Sequence, residues 1–83
     1  MEKVEYAFDE LSEESKDRAV ICTGVIIKAK LGRGEDPAID KYVVKCVIDK
    51  LTPTFDITGN LIGYSNIHEI SREFLQEIIE NCM

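Results

Sequence analysis

Few side chains in this sequence are suited to acid–base chemistry. His68 is the single histidine among 83 residues, and Glu69 follows it directly. Adjacent residues on a helix point in different directions, so Glu69 is not expected to orient the imidazole of His68 for proton transfer. A zinc motif such as HxxxH or HExxH requires a second histidine. We therefore predict no catalytic residue, no metal site and no cofactor.

The cysteines are the strongest nucleophiles in the chain. They are Cys22, Cys46 and Cys82. An odd number without a Cys-x-x-Cys pair is typical of neither a disulfide framework nor a zinc site. Their neighbours in the sequence are apolar, so we expect three buried free thiols. Reduced thiols would indicate a cytoplasmic location.

Serines and glycines provide no further catalytic motif. The motif GxSxG is absent, and capping explains the serines at expected helix starts and turns, which are Ser12, Ser15, Ser65 and Ser71. Gly32-Arg33-Gly34 lacks the Lys-Ser/Thr of a P-loop, and the acidic pair Glu35-Asp36 follows it. These glycines are therefore interpreted as a helix end and a linker.

The charge balance narrows the range of partners. Sixteen acidic and ten basic residues give a formal net charge of −6, and the basic residues are dispersed along the chain. Binding to phosphates needs clustered Lys and Arg, so direct binding to nucleic acid or to an anionic membrane is not expected. The apolar run 19–27 is much shorter than the ~20 residues of a membrane span. The charged N-terminus does not read as a signal peptide.

Two long helices are predicted in the first two thirds of the chain. Ser12 is suited to cap a helix over 13–31 that ends at Gly32, although the β-branched residues of 19–31 leave a strand as the alternative. Asp36 and Pro37 predict the start of a second helix, which Pro53 prevents from continuing past Leu51. Its apolar stripe consists of Ile39, Tyr42, Val43, Cys46, Val47 and Leu51, broadened by Val44 and Ile48.

The remaining segments predict three strands and a last helix. Residues 3–8 alternate polar and apolar, and 54–58 and 61–65 flank Gly59-Asn60 as a hairpin with a type II′ turn. That register pairs Ile57 with Ile62 and Phe55 with Tyr64. The last helix reaches about Cys82 and starts at either Asn66 or Ser71. Its apolar stripe consists of Ile67, Ile70, Phe74, Ile78 and Cys82, with Leu75 and Ile79 beside it.

The predicted architecture is a single α+β domain over residues 1–83. The element order is β-α-α-β-β-α, with a small three-stranded antiparallel sheet packed against the helices. So thin a sheet leaves apolar helix surface uncovered, and such a surface marks an interface. The expected interaction residues are Val25, Ile26, Val44 and Ile48, together with an acidic ridge of Glu73, Glu77 and Glu80 on the last helix. A homodimer or higher homo-oligomer is the expected assembly.

Residues 6–16 read Tyr-Ala-Phe-Asp-Glu-Leu-Ser-Glu-Glu-Ser-Lys. This segment resembles the start of many small phage and prophage proteins of unknown function. The resemblance implies a phage accessory protein, and proteins of that kind often inhibit host machinery, including defence systems, by covering a surface.

The sequence as a whole predicts a non-enzymatic, phage-type protein that acts by protein–protein interaction. Its partner would be a host defence protein, another host protein or a second copy of itself, in the cytoplasm of a bacterial or infected host cell. The alternatives are a self-associating structural or assembly module and a small oligomer that sequesters a ligand.

Overall fold

The computed structural model describes residues 4–32, 39–62 and 66–82. Within these ranges a short 3-10 helix, Phe8–Glu10, precedes four α-helices: α1 (Glu13–Leu31), α2 (Lys41–Leu51), α3 (Asn66–Glu69) and α4 (Arg72–Cys82). Helix α1 packs against α2 and α4, and α2 packs against α4. Within the described ranges there is no strand beyond isolated bridges. The predicted α+β fold with a three-stranded sheet is therefore wrong.

Helix α1 has the bounds that its capping residues predict. The Ser12 side chain accepts a hydrogen bond from the Ser15 amide at 3.2 Å, and Gly32 ends the helix with a left-handed backbone at φ 69°. The β-branched middle of α1 is helical, with Thr23 and Ile27 fully buried. Tertiary packing of that face outweighs the weak preference of β-branched residues for strands. The helix over 13–31 is confirmed, and the strand alternative is wrong.

Helix α2 begins later than predicted. Asp40 is its N-cap, because the carboxylate accepts hydrogen bonds from the amides of Tyr42 at 3.0 Å and Val43 at 3.1 Å. The backbone of Asp40 is extended, so no continuous helix runs from Pro37 to Leu51. Asp36 and Pro37 themselves lie outside the described residues. The predicted end is confirmed, since α2 stops at Leu51 before Pro53.

Phe55 takes the place of the predicted sheet. It forms one antiparallel bridge with Tyr6, through hydrogen bonds of 2.8 and 2.9 Å, and a second with Leu61. The first predicted strand stops short because the chain turns into the 3-10 helix at Phe8. Single bridges around one buried phenylalanine thus replace three strands.

The predicted hairpin register is also wrong. The Asp56 carboxylate accepts hydrogen bonds from the Thr58 amide at 2.9 Å and the Asn60 amide at 3.0 Å, which closes a tight turn over 56–60. This side-chain turn competes with the type II′ turn. Leu61 therefore lies opposite Phe55, and Ile57 is exposed in the turn instead of paired with Ile62. Tyr64, the predicted partner of Phe55, lies outside the described residues.

Both predicted starts of the last helix are used. Asn66 begins α3, and Ser71 caps α4 by accepting a hydrogen bond from the Phe74 amide at 3.2 Å. The first residues of α3 and α4 supply side-chain donors to the carbonyl ends of other helices. Arg72 donates to the Leu31 carbonyl at the end of α1, and Asn66 donates to the Leu51 carbonyl at the end of α2. These bonds satisfy groups that a helix end leaves unpaired.

The core lies where α1, α2 and α4 meet. Its fully buried apolar side chains are Ala19, Ile27, Val47, Phe55, Ile67, Leu75 and Ile79. Two members of the predicted apolar stripes lie outside it, since Tyr42 is 70% exposed and Phe74 is 52% exposed. No helix in the described ranges is both long and apolar enough to span a membrane.

A disulfide between Cys46 and Cys82 joins α2 to α4. The prediction of free thiols is wrong for these two residues, because the packing of α2 on α4 brings together cysteines that are 36 positions apart. Cys22 is free and half-buried. Disulfides persist mainly in oxidising compartments, so the cysteines no longer support the cytoplasmic location. The compartment stays a prediction without that support.

Candidate interaction surfaces

The outer face of α1 carries the most prominent exposed aliphatic pair. Ile21 is 68% exposed and Val25 is 62% exposed, and the two lie one helical turn apart. Beside them is a shallow groove of about 260 Å³ between α1 and the start of α2. The groove is lined by Val20, Ile21, Gly24, Val25, Lys28, Ile39, Asp40, Lys41 and Val44. We call Ile21, Val25 and this groove the α1 face.

Gly24 determines how closely the two helices approach each other under the α1 face. It is buried, and a Cβ added there would lie 3.3 Å from Cγ2 of Val44 on α2. The contact between Gly24 and Val44 seals the floor of the groove and leaves Ile21 and Val25 on its rim. Since apolar side chains gain most from leaving water, this rim is suited to contact another apolar surface.

The four predicted apolar interaction residues are divided between surface and core. Val25 is exposed and Ile26 is half-buried, whereas Val44 and Ile48 are buried in the core. Of the two buried residues, Val44 reaches the floor of the groove. Ile21 is not among these four, because residues 19–27 are apolar on nearly all sides of the helix and their spacing does not separate the exposed face from the buried one.

The acidic ridge lies on α4 as its spacing predicts. Glu73, Glu77 and Glu80 are all exposed, and Glu80 accepts a hydrogen bond from the Gln76 side chain at 3.3 Å. Within the part of the chain that the structure describes, no lysine or arginine forms a salt bridge with these three residues. The ridge is therefore available to a basic surface.

A smaller pocket of about 240 Å³ lies between the 3-10 helix and the C-terminal part of α2. Its apolar lining consists of Ala7, Phe8, Ile48 and Pro53, and its polar lining of Asp9, Lys45, Asp49 and Thr52. Ile48 and Pro53 are buried, whereas the three charged residues are exposed. We call this site the Phe8 pocket.

A wider, more polar depression lies between the start of α1 and the 56–60 turn. It measures about 620 Å³, and its lining includes Ser12, Ser15 and Arg18. The Ser15 hydroxyl donates a hydrogen bond to the Ile57 carbonyl at 2.8 Å and so holds the turn against α1. Neither histidine nor cysteine lines this depression among the described residues. Its serines have structural partners, since Ser12 accepts a hydrogen bond from the Ser15 amide and Ser15 donates to Ile57.

His68, the single histidine of the sequence, lies on the short helix α3. His68 is exposed, and its backbone carbonyl accepts a hydrogen bond from Lys30 Nζ at 3.0 Å. The described ranges contain no group of three or more His, Cys, Asp or Glu residues placed to hold a metal ion. The turn carboxylate Asp56 has a pKa below its ordinary value, mainly because the Thr58 side chain donates a hydrogen bond to it. Asp56 therefore stabilises the turn.

No known protein indicates which of these surfaces binds a partner. The likeness of residues 6–16 to phage proteins stays a prediction. Comparison with family models, with curated proteins and with solved structures gave no match.

Proposed function

We propose that this protein acts without catalysis, by binding another protein through its α1 face. The observation that carries the proposal is the exposed pair Ile21 and Val25 beside a groove on the longest helix. Complete burial of one aliphatic side chain is worth about 1.5–3 kcal/mol. Because roughly two thirds of each side chain is exposed, covering both would contribute about 2–4 kcal/mol, or roughly 30- to 700-fold in affinity.

The partner that we propose is a host protein of an infected bacterium, with inhibition of a defence protein as the specific hypothesis. Two features support it. One is the resemblance of residues 6–16 to small phage proteins, and the other is the net charge of −6, which favours a basic partner surface. The unpaired ridge of Glu73, Glu77 and Glu80 adds to that charge complementarity. Binding would inhibit the partner by covering its working surface.

Self-association through the same face is the second candidate. Two exposed aliphatic residues one turn apart are a stripe that a second copy could match across a twofold axis. Sedimentation of the purified protein separates the two candidates. A dimer that dissociates in the Ile21→Ser/Val25→Ser variant supports self-association, whereas a monomeric wild type supports a different partner.

The test of the main proposal is affinity capture from a bacterial lysate followed by titration with the identified, purified partner. Three forms are compared: the wild type, the Ile21→Ser/Val25→Ser variant and the Ile57→Ser control. Ile57 is exposed to a similar extent, but it lies in the 56–60 turn and does not line the groove of the α1 face. We expect the double variant to lose roughly 30-fold or more in affinity while Ile57→Ser binds like the wild type. Equal affinity of all three forms would refute the α1 face as the binding surface.

A further inference from the structure

The Phe8 pocket has the size of a site for a single side chain. Its volume of about 240 Å³ lies below the range of about 300–1,000 Å³ that is usual for drug-sized ligands and cofactors. Phe8, Ile48 and Pro53 make its floor apolar, while charged side chains are exposed at its rim. Such a site accommodates an occupant that is apolar along its length and polar at its end.

The rim of the pocket favours a cation. Within the described part of the chain, neither Asp9 nor Asp49 takes part in a salt bridge or a side-chain hydrogen bond. The positive charge of Lys45 offsets the negative charge of one carboxylate, so the charged residues that line the pocket have a net charge of one negative unit. The pocket also lies at the C-terminal end of α2, where the helix dipole is negative. Lys16 Nζ lies 5.9 Å from the centroid of the Phe8 ring, but Lys16 does not line the pocket and its charge is offset by Glu13 at 3.7 Å.

We propose that the Phe8 pocket binds an arginine side chain of a partner protein. The three methylenes of arginine match the apolar floor, and its planar guanidinium can bond to carboxylates in a forked geometry and stack on an aromatic ring. The net charge of −6 attracts a basic surface on which such an arginine would lie. The inference depends on the proposed function for the existence of a partner, but it concerns a site separate from the α1 face.

The test is a titration of the ¹⁵N-labelled protein with the peptide acetyl-Gly-Arg-Gly-amide, followed by NMR. We expect saturable shifts confined to amides around the pocket, such as those of Asp9, Asp49 and Thr52. The Asp9→Asn/Asp49→Asn variant should bind about tenfold more weakly, because the charged hydrogen bonds to the guanidinium are lost. Glu69→Gln/Asp17→Asn is the matched control, since it removes the same two negative charges from exposed positions on α3 and α1 and should leave binding unchanged.

Two further ligands test whether binding depends on the positive charge of arginine and on the peptide around it. The same peptide with neutral citrulline in place of arginine should not bind. The small cation n-butylguanidinium should bind roughly threefold or more weakly than the arginine peptide, which has additional contacts at the rim. Shifts that are absent, that are spread over the surface, or that the citrulline peptide reproduces would overturn the proposal. Equal affinity for n-butylguanidinium would overturn the assignment to a protein side chain.

Binding of the arginine peptide to the Phe8 pocket is expected to be independent of the α1 face. The Ile21→Ser/Val25→Ser variant should bind the arginine peptide like the wild type. If a partner binds through the α1 face but the Phe8 pocket does not bind the arginine peptide, this inference is refuted and the proposed function is unaffected. If the double aspartate variant melts early by circular dichroism, Asp49→Asn alone provides the measurement, with a smaller expected loss.

Discussion

The bond between Cys46 and Cys82 is the feature whose removal should change stability most. It joins α2 to α4 and closes a loop of 36 residues in the unfolded chain. In the chain-entropy description, a loop of that length corresponds to about 4 kcal/mol at 25 °C, near the upper end of the usual 2–4 kcal/mol. A domain of 83 residues has a total stability of about 4–12 kcal/mol. Reduction is therefore expected to remove about a quarter of the total or more.

Urea unfolding followed by circular dichroism measures this effect directly. We expect the oxidised wild type to be about 3–4 kcal/mol more stable than the same protein in dithiothreitol, with a melting temperature roughly 15–25 °C higher. The Cys46→Ser/Cys82→Ser variant should match the reduced protein and should not respond to dithiothreitol. Cys22→Ser is the control, because Cys22 is not part of the bond and this variant should respond like the wild type.

Two results would refute this reasoning. One is a loss of less than about 1 kcal/mol on reduction, which would mean that the reduced, unfolded chain keeps structure that already limits its freedom. The other is a peptide map of the oxidised protein in which Cys22 is bonded to Cys46 or Cys82. That pairing would contradict the helix packing itself, because the structure leaves Cys22 free.

Three further predictions concern the turn and the core. Gly59 has a positive φ of 96°, and a Cβ added there would overlap the carbonyl oxygen of Ser15. Gly59→Ala should therefore lower the free energy of unfolding, measured in urea, by about 2–5 kcal/mol. Gly32→Ala is the comparison, because a Cβ added at Gly32 would lie 3.8 Å from its nearest neighbour, Nη2 of Arg72, and the loss should be only about 1–2 kcal/mol. Equal losses for the two variants would contradict the close packing of the turn on α1. The buried Thr23 hydroxyl has no hydrogen-bond partner among the described residues, so Thr23→Val should stabilise by about 1 kcal/mol, and a loss of stability would reveal a hidden partner. Because folding lowers the pKa of Asp56, its ionised carboxylate contributes to stability above pH 3.8, the ordinary pKa. That contribution is lost as the pH falls through the lower pKa of the folded state. Urea midpoints of Asp56→Asn should therefore fall less steeply in acid than those of the wild type, and parallel curves would exclude this contribution.

The sequence by itself determined the features that depend on a few neighbouring residues. Ser12 and Gly32 predict both ends of α1 because capping is satisfied within one turn of the helix. Pro53 predicts the end of α2, and Ser71 predicts the start of α4, for the same local reason. The exposure of Glu73, Glu77 and Glu80 likewise follows from their spacing along one helix.

Only the tertiary structure decided the features that depend on distant residues or on a choice between competing local signals. Asp36 and Asp40 are both suited to cap α2, and the structure uses Asp40. The Asp56 side chain closes a turn that displaces the hairpin register, and the single residue Phe55 then bridges two segments where three strands were expected. Cys46 and Cys82 pair because α2 packs on α4, which no spacing in the sequence indicates. Which apolar side chains remain outside, as Ile21 and Val25 do, is likewise decided by the faces that the helices bury against each other.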